Sequence, residues 1–171
     1  AYVLDEGAFT GEISPLQLKT FGVSYVIIGH SERCNHFHED DKLINLKVKS
    51  CLRHNLKVIL CIGETSEERR LNKTALVLKK QILSDLDGLD ANEIRDVIIA
   101  YEPVWAIGSG LTPTDEEIAD AIKYIEKIIN EEYDLIPRVI YGGSINESNI
   151  VNIMNIANID GVLVGGSSIN P

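Results

Sequence analysis

Short runs of β-branched and aliphatic residues punctuate the chain at 25–28 (Y-V-I-I), 57–62 (K-V-I-L-C-I), 97–102 (V-I-I-A-Y-E), 138–141 (R-V-I-Y) and 160–164 (D-G-V-L-V). Continuous apolar runs of this length predict strands buried on both faces, as in a parallel sheet. Between them the pattern changes to a period of three and four. Ile44, Val48, Cys51 and Leu52 form one stripe over 41–55. Ala75, Leu78, Ile82 and Leu86 form a second in a helix opened by Thr74. Ile118, Ile122, Ile125 and Ile129 form a third after Thr114. These stripes predict amphipathic helices. Helix starts are marked locally. Ser14-Pro15-Leu16-Gln17 places a cap, a proline at the first helical position and a glutamine three residues after the cap, in a helix ending at Gly22. Thr114-Asp115-Glu116-Glu117 reads as a capping box. A further helix is predicted over 146–155, a polar connection over 34–41 and a loop over 87–92. The result is five strand–helix units, which require a parallel sheet. Strict alternation fits either a doubly wound sheet or a (β/α)₈ barrel.

The strand ends carry the chemistry. Glu102 closes the third run and is followed by Pro103, which restricts the backbone at Glu102. A carboxylate at the carboxyl end of a buried strand stands where parallel α/β folds place reacting groups. Beyond it, Ala106-Ile107-Gly108-Ser109-Gly110 makes a glycine-rich tip on a stiff stem, the form of a lid. His30 lies just past the first strand, between Gly29 and Ser31. Ser31 is a candidate helix cap, and a helix N-terminus directed at His30 keeps an imidazole neutral. Glu32 and Arg33 form either a structural ion pair or part of the site. Cys61 reads as a small core residue, and Glu64 as a cap on the following turn. Gly142-Gly143-Ser144 and Gly165-Gly166 follow the last strands, where backbone N–H groups can converge on a phosphate, with Gly108 as a further donor. A carboxylate base, an imidazole, a phosphate nest and a lid suit proton abstraction beside the carbonyl of a small phosphorylated sugar. The bland alternatives are a salt-bridged glutamate, a satisfied histidine and ordinary glycine turns.

Composition narrows the setting. At 171 residues and 44% hydrophobic, the chain suffices for one globular domain with a sizeable core. A net charge of −10 argues against nucleic acid and anionic membranes as partners, while leaving room for a small anion in a local site. The three cysteines, Cys34, Cys51 and Cys61, follow no motif spacing and favour a reducing, cytoplasmic setting. Neither a signal peptide nor a membrane-spanning segment is expected. Cys34, His36 and His38 lie close in sequence, but no second cluster completes a tetrahedral metal site.

The segments Gly7 to Glu12, Gly29 to Arg33, Cys61 to Glu64, Ala100 to Gly110, Tyr141 to Ser144 and Asp160 to Gly166 together resemble the triosephosphate isomerase family, in family order and over nearly the whole chain. The resemblance implies a parallel (β/α)₈ TIM barrel, represented by an incomplete portion, about strands 4 to 8, as a single domain over 1–171. It implies interconversion of D-glyceraldehyde 3-phosphate and dihydroxyacetone phosphate through an enediol(ate), in glycolysis and gluconeogenesis. Glu102 is then the base and His30 the electrophile, with Ser31 and Glu32 beside them. Gly108, Ser144, Gly165 and Gly166 contact the substrate phosphate. No metal or organic cofactor is implied. A homodimer is implied, with the loop from Gly7 to Glu12 docking into a partner.

There are departures. On the family pattern the chain starts after strand 3 and stops before most of the final helix, so the strand-1 lysine and asparagine of the family have no counterpart. Cys34 replaces a common second arginine, and Ser109 a lid threonine. A full barrel takes about 250 residues. Two alternatives therefore accompany the isomerase reading: a non-catalytic phosphate-binding module lacking the lysine, and a different sugar-phosphate isomerase on the same barrel.

Overall fold

The computed structural model describes residues 1–107 and 111–169. A capping box fixes the first helix, α1 (Pro15–Thr20): Ser14 accepts from Gln17 N–H, and Gln17 reaches back to Ser14 N–H. The five predicted strands follow as β1 (Tyr25–Ile28), β2 (Lys57–Ile62), β3 (Val97–Tyr101), β4 (Arg138–Tyr141) and β5 (Gly161–Val162). They form one parallel sheet in the order β1-β2-β3-β4-β5. Glu102 falls one residue beyond β3. The last strand is shorter than its apolar run, although Leu163 N–H still donates to Tyr141 O.

Three helices cover one face of the sheet: α3 (Asp41–Arg53), α5 (Thr74–Asp85) and α7 (Asp115–Tyr133). Their stripes meet Val58, Leu60, Val97, Ile99 and Val139 in a single core. Ile118, Ile122, Ile125 and Ile129 are fully buried, as their spacing predicts, and Thr114 completes its capping box with Glu117. Leu52 is only half-buried and Ala75 is exposed, so both lie at the margins of their predicted stripes.

The expectation of strands buried on both faces holds for one face only. Tyr25 and Ile27 of β1 are each 43% exposed, and Ile59, Ile98 and Ile140 of the same face are half-buried. Five strands do not curl far enough to oppose one another, so the side chains that would line a barrel interior have no facing wall among the described residues. Among the described residues, β1 and β5 are each paired on one side only. This is a partial TIM barrel.

Four shorter helices revise the local expectations. α2 (Ser31–Phe37) occupies part of the supposed polar connection. α4 (Ser66–Arg70) follows a Thr65 capping box. α6 (Ala91–Ile94) starts within the predicted loop, because Asp90 and Glu93 form a capping box. α8 (Ile150–Met154) covers only the second half of 146–155. The first half of that segment turns instead: Asn146 Oδ1 accepts from the Ser148 N–H and hydroxyl, a local bond that competes with helix. No helix among the described residues is long and apolar enough to cross a membrane.

Candidate functional site

Glu102 and His30 meet at the carboxyl edge of the sheet. β3 delivers Glu102, whose N–H donates to Ile62 O of β2. Only 2% of Glu102 is exposed. Its Oε1 lies 3.4 Å from His30 Nε2, and its Oε2 accepts from Ser31 N–H at 3.5 Å. The buried Cys61 thiol lines one cavity with Glu102 and favours the charged carboxylate, so this cysteine does more than fill space. Burial raises the Glu102 pKa above the usual carboxylate range, and Glu32 adds to the rise. His30, Cys61 and the Ser31 amide partly oppose it. Cys61 is pushed well above its ordinary range by burial and by Glu102, so it stays a thiol.

His30, not Ser31, caps α2. Its Nδ1 accepts from Glu32 N–H at 3.2 Å, while Ser31 is the first helical residue and buried. An accepting Nδ1 carries no proton, so the ring N–H sits on Nε2, the nitrogen facing Glu102. The cap thus fixes both the tautomer and the direction of the imidazole. Arg33 pairs with Glu39 and not with Glu32. Glu39 is buried and also receives Lys47 of α3. The Cys34 thiol donates to Gly29 O at 3.4 Å and is pushed up to about 11 by burial. No group of three metal-ligating side chains occurs among the described residues.

Glu64 is not a turn cap, since Thr65 serves α4. Glu64 is fully buried and accepts from Trp105 Nε1 at 2.8 Å and from Tyr101 Oη at 3.3 Å. Arg69 lies 3.8 Å from the Trp105 ring centroid and pairs with Glu117. Trp105 belongs to the 3₁₀ turn Val104–Ala106 directly after Glu102 and Pro103. The stem of the predicted lid is therefore bolted to the body. Its tip, with Gly108, lies outside the described residues.

The remaining glycine loops flank the carboxylate. A Cβ on Gly142 would stand 2.8 Å from Glu102 Cγ, so the bare backbone leaves room for the side chain. Ser144 follows on this loop, where its carbonyl accepts from Asn149. Ser167 Oγ donates to Ile145 O and ties the loop after β5 to the loop after β4. Gly165 and Gly166 are exposed, with open space where a Cβ would be.

Gly63 is the tightest point. A Cβ there would stand 1.7 Å from Glu102 O. We expect Gly63→Ala to lower stability by about 3 kcal/mol, the upper range for overpacking, because the obstacle is backbone. Urea midpoints at equal m-value would measure it, and a midpoint matching the wild type would refute the contact.

The family profile described as Triosephosphate isomerase matches residues 1–171. The triosephosphate isomerase of Alkaliphilus oremlandii is 49% identical over 169 residues, 96% of this chain and 68% of the relative. That of Thermodesulfovibrio yellowstonii is 49% identical over 174 residues, 100% of this chain and 70% of the relative. That of Dictyoglomus thermophilum is 47% identical over 170 residues, 97% of this chain and 68% of the relative. With matching strand ends, a partial barrel and this similarity along its length, the chain belongs to the triosephosphate isomerase family.

Proposed function

We propose that the chain carries the proton-transfer centre of an aldose–ketose isomerase acting on D-glyceraldehyde 3-phosphate and dihydroxyacetone phosphate. The observation that supports this most is the buried Glu102 carboxylate held within 3.5 Å of both His30 Nε2 and Ser31 N–H. Burial raises its proton affinity, as a carboxylate base working near neutral pH requires. Glu102 removes a proton from the carbon next to the substrate carbonyl. The His30 Nε2–H, now facing Glu102, turns its hydrogen bond to the carbonyl oxygen as negative charge develops there. His30 gives its Nε2 proton to that oxygen and recovers one from the neighbouring hydroxyl, and Glu102 returns its proton to the former carbonyl carbon, so one proton has moved between carbons and one between oxygens. Ser31 and Glu32 shape the carboxylate's surroundings. Ser144, Gly165 and Gly166, with Gly108 from the lid, supply the phosphate site. Closure of that lid over the anchored Trp105 stem excludes water from the enediolate.

The chain is one domain in this reading, and it works in the cytoplasm as a homodimer through residues 7–12. In the structure this loop folds on itself: Tyr2 N–H donates to Ile13 O, and the Phe9 ring lies 4.4 Å from the Tyr2 ring. A second reading is favoured by the open face and the two free sheet edges: a phosphate-binding part that acquires turnover only when further strands complete the wall. An enzyme-coupled assay of triose phosphate interconversion separates them. For this chain alone we expect weak but saturable turnover in both directions, inhibited by a two-carbon phosphate analogue. Binding of that analogue without turnover supports the second reading, and neither binding nor turnover sinks both.

A further inference from the structure

Gly63 sits between Ile62 and Glu64, whose carbonyls hold the segment after β3. Ile62 O accepts from Glu102 N–H at 2.8 Å, and Glu64 O accepts from Val104 N–H at 3.1 Å. Pro103, between them, has no N–H to offer. Backbone polar groups alternate sides along an extended strand, so the Gly63 N–H and C=O face the other way, toward β1. β1 has ended at Ile28 and turned into α2, leaving no strand partner there. A single side chain takes its place. Gln81, on α5, accepts from Gly63 N–H through Oε1 at 2.9 Å and donates through Nε2 to Gly63 O at 3.2 Å. One carboxamide thus satisfies one whole peptide position as a neighbouring strand would.

Packing does not do the same work. A cavity of about 250 Å³ lies beside Gly63, Gln81, Cys61 and Glu102, so Gly63 is not wedged from that side. On its other side it touches Glu102 directly, with no space for even a methyl group. Any shift of the Gly63 peptide is therefore passed to the Glu102 backbone through one ladder hydrogen bond and one van der Waals contact, and to Val104 through a second ladder hydrogen bond.

We propose that Gln81 is a positioning residue for Glu102: its carboxamide, 18 residues along the chain from Gly63, pins the peptide against which the base is seated. Among side chains of this length, glutamine alone brings an uncharged donor and acceptor together, so the role is specific to it. The inference rests on Glu102 being the base, and its test keeps the two apart.

The experiment compares the wild-type chain with Gln81→Met, which keeps the length and removes both hydrogen bonds, and with Gln81→Glu, which keeps an acceptor only. Lys79→Ala, exposed on the same helix, is the control. Carbon-13 NMR follows the Glu102 carboxyl titration, amide exchange follows Gly63 N–H, and steady-state kinetics follow turnover. We expect Gly63 exchange to accelerate by about tenfold or more in Gln81→Met and the Glu102 titration midpoint to move in both Gln81 variants. We expect kcat to fall about 10- to 100-fold with KM within about twofold, the loss typical of a displaced supporting group. Wild-type Glu102 titration and Gly63 exchange in Gln81→Met overturn the proposal, as does a kinetic loss confined to KM. The NMR readouts need no turnover. An inactive wild-type chain counts against the isomerase reading, and the role of Gln81 is still decided by its effect on Glu102.

Discussion

Glu102→Gln lowers kcat by about 10³-fold, the middle of the range for removing a general base, and leaves KM within a few-fold. The amide keeps the shape of the side chain and its contacts with Ser31 N–H and His30. Only the ability to take a proton is lost. Glu102→Asp keeps that ability but withdraws the carboxylate by one methylene, and a misplacement of about 1 Å costs about 10²-fold. The order wild type, Asp, Gln in turnover is therefore the expected signature. The acid limb of the wild-type profile should lie above the usual carboxylate range, since burial raises the Glu102 pKa and protonation silences the base. Steady-state rates in both directions across pH test all three points. Turnover of Glu102→Gln within tenfold of wild type would remove Glu102 from the chemistry.

Asp85→Asn is expected to stabilise the fold by about 4 kcal/mol at neutral pH. Asp85 ends α5, is 1% exposed, and its Oδ1 has no hydrogen-bond partner among the described residues. The nearby Asn45 amide donates to the backbone carbonyls of Asp85 and Asp87, not to the carboxylate. Burial, with Asp41 adding to it and Lys80 opposing it, pushes the acid from 3.8 up to about 8. Between those values the folded chain keeps a proton that the unfolded chain has already lost. Stability therefore declines as pH rises from about 4 to 8 and stays low above. Each pH unit within that window costs about 1.4 kcal/mol. The asparagine variant lacks this decline. Urea unfolding at pH 5 and pH 8 measures it. The variant and wild type should differ by about 2 kcal/mol at the lower pH and by about 5 kcal/mol at the higher, and parallel curves would refute the assignment.

The periodic parts of the fold were legible in the sequence because each rests on neighbours a few residues apart. β1, β2 and β4 begin and end where their apolar runs do, and the Ser14 and Thr114 caps form their boxes with residues three positions on. α2 was legible only at its start, where Ser31 reads as a cap one residue late: S-E-R-C-N-H-F carries no apolar stripe to mark its length, and the true cap is a histidine. Apolar strands look alike whether or not a wall faces them, so the open side of the sheet left no trace in the pattern. In the candidate site, the placement of His30 and Glu102 at the carboxyl ends of β1 and β3 followed from strand boundaries. Their supports did not. Glu64 meets Tyr101 and Trp105, and Gln81 meets Gly63, across separations no local pattern encodes. Arg33 passes over the adjacent Glu32 for Glu39, beside Lys47.

The sheet's strand order repeats the chain order, with every strand beside its immediate predecessor. No segment must thread past another to reach its place. Such a chain can fold by accretion as it leaves the ribosome, each new strand and helix closing a modest loop against a surface already formed. The carboxyl edge is then assembled in the same sequence. His30 is set first, Gly63 and its Gln81 clamp next, and Glu102 arrives last onto a seat already built.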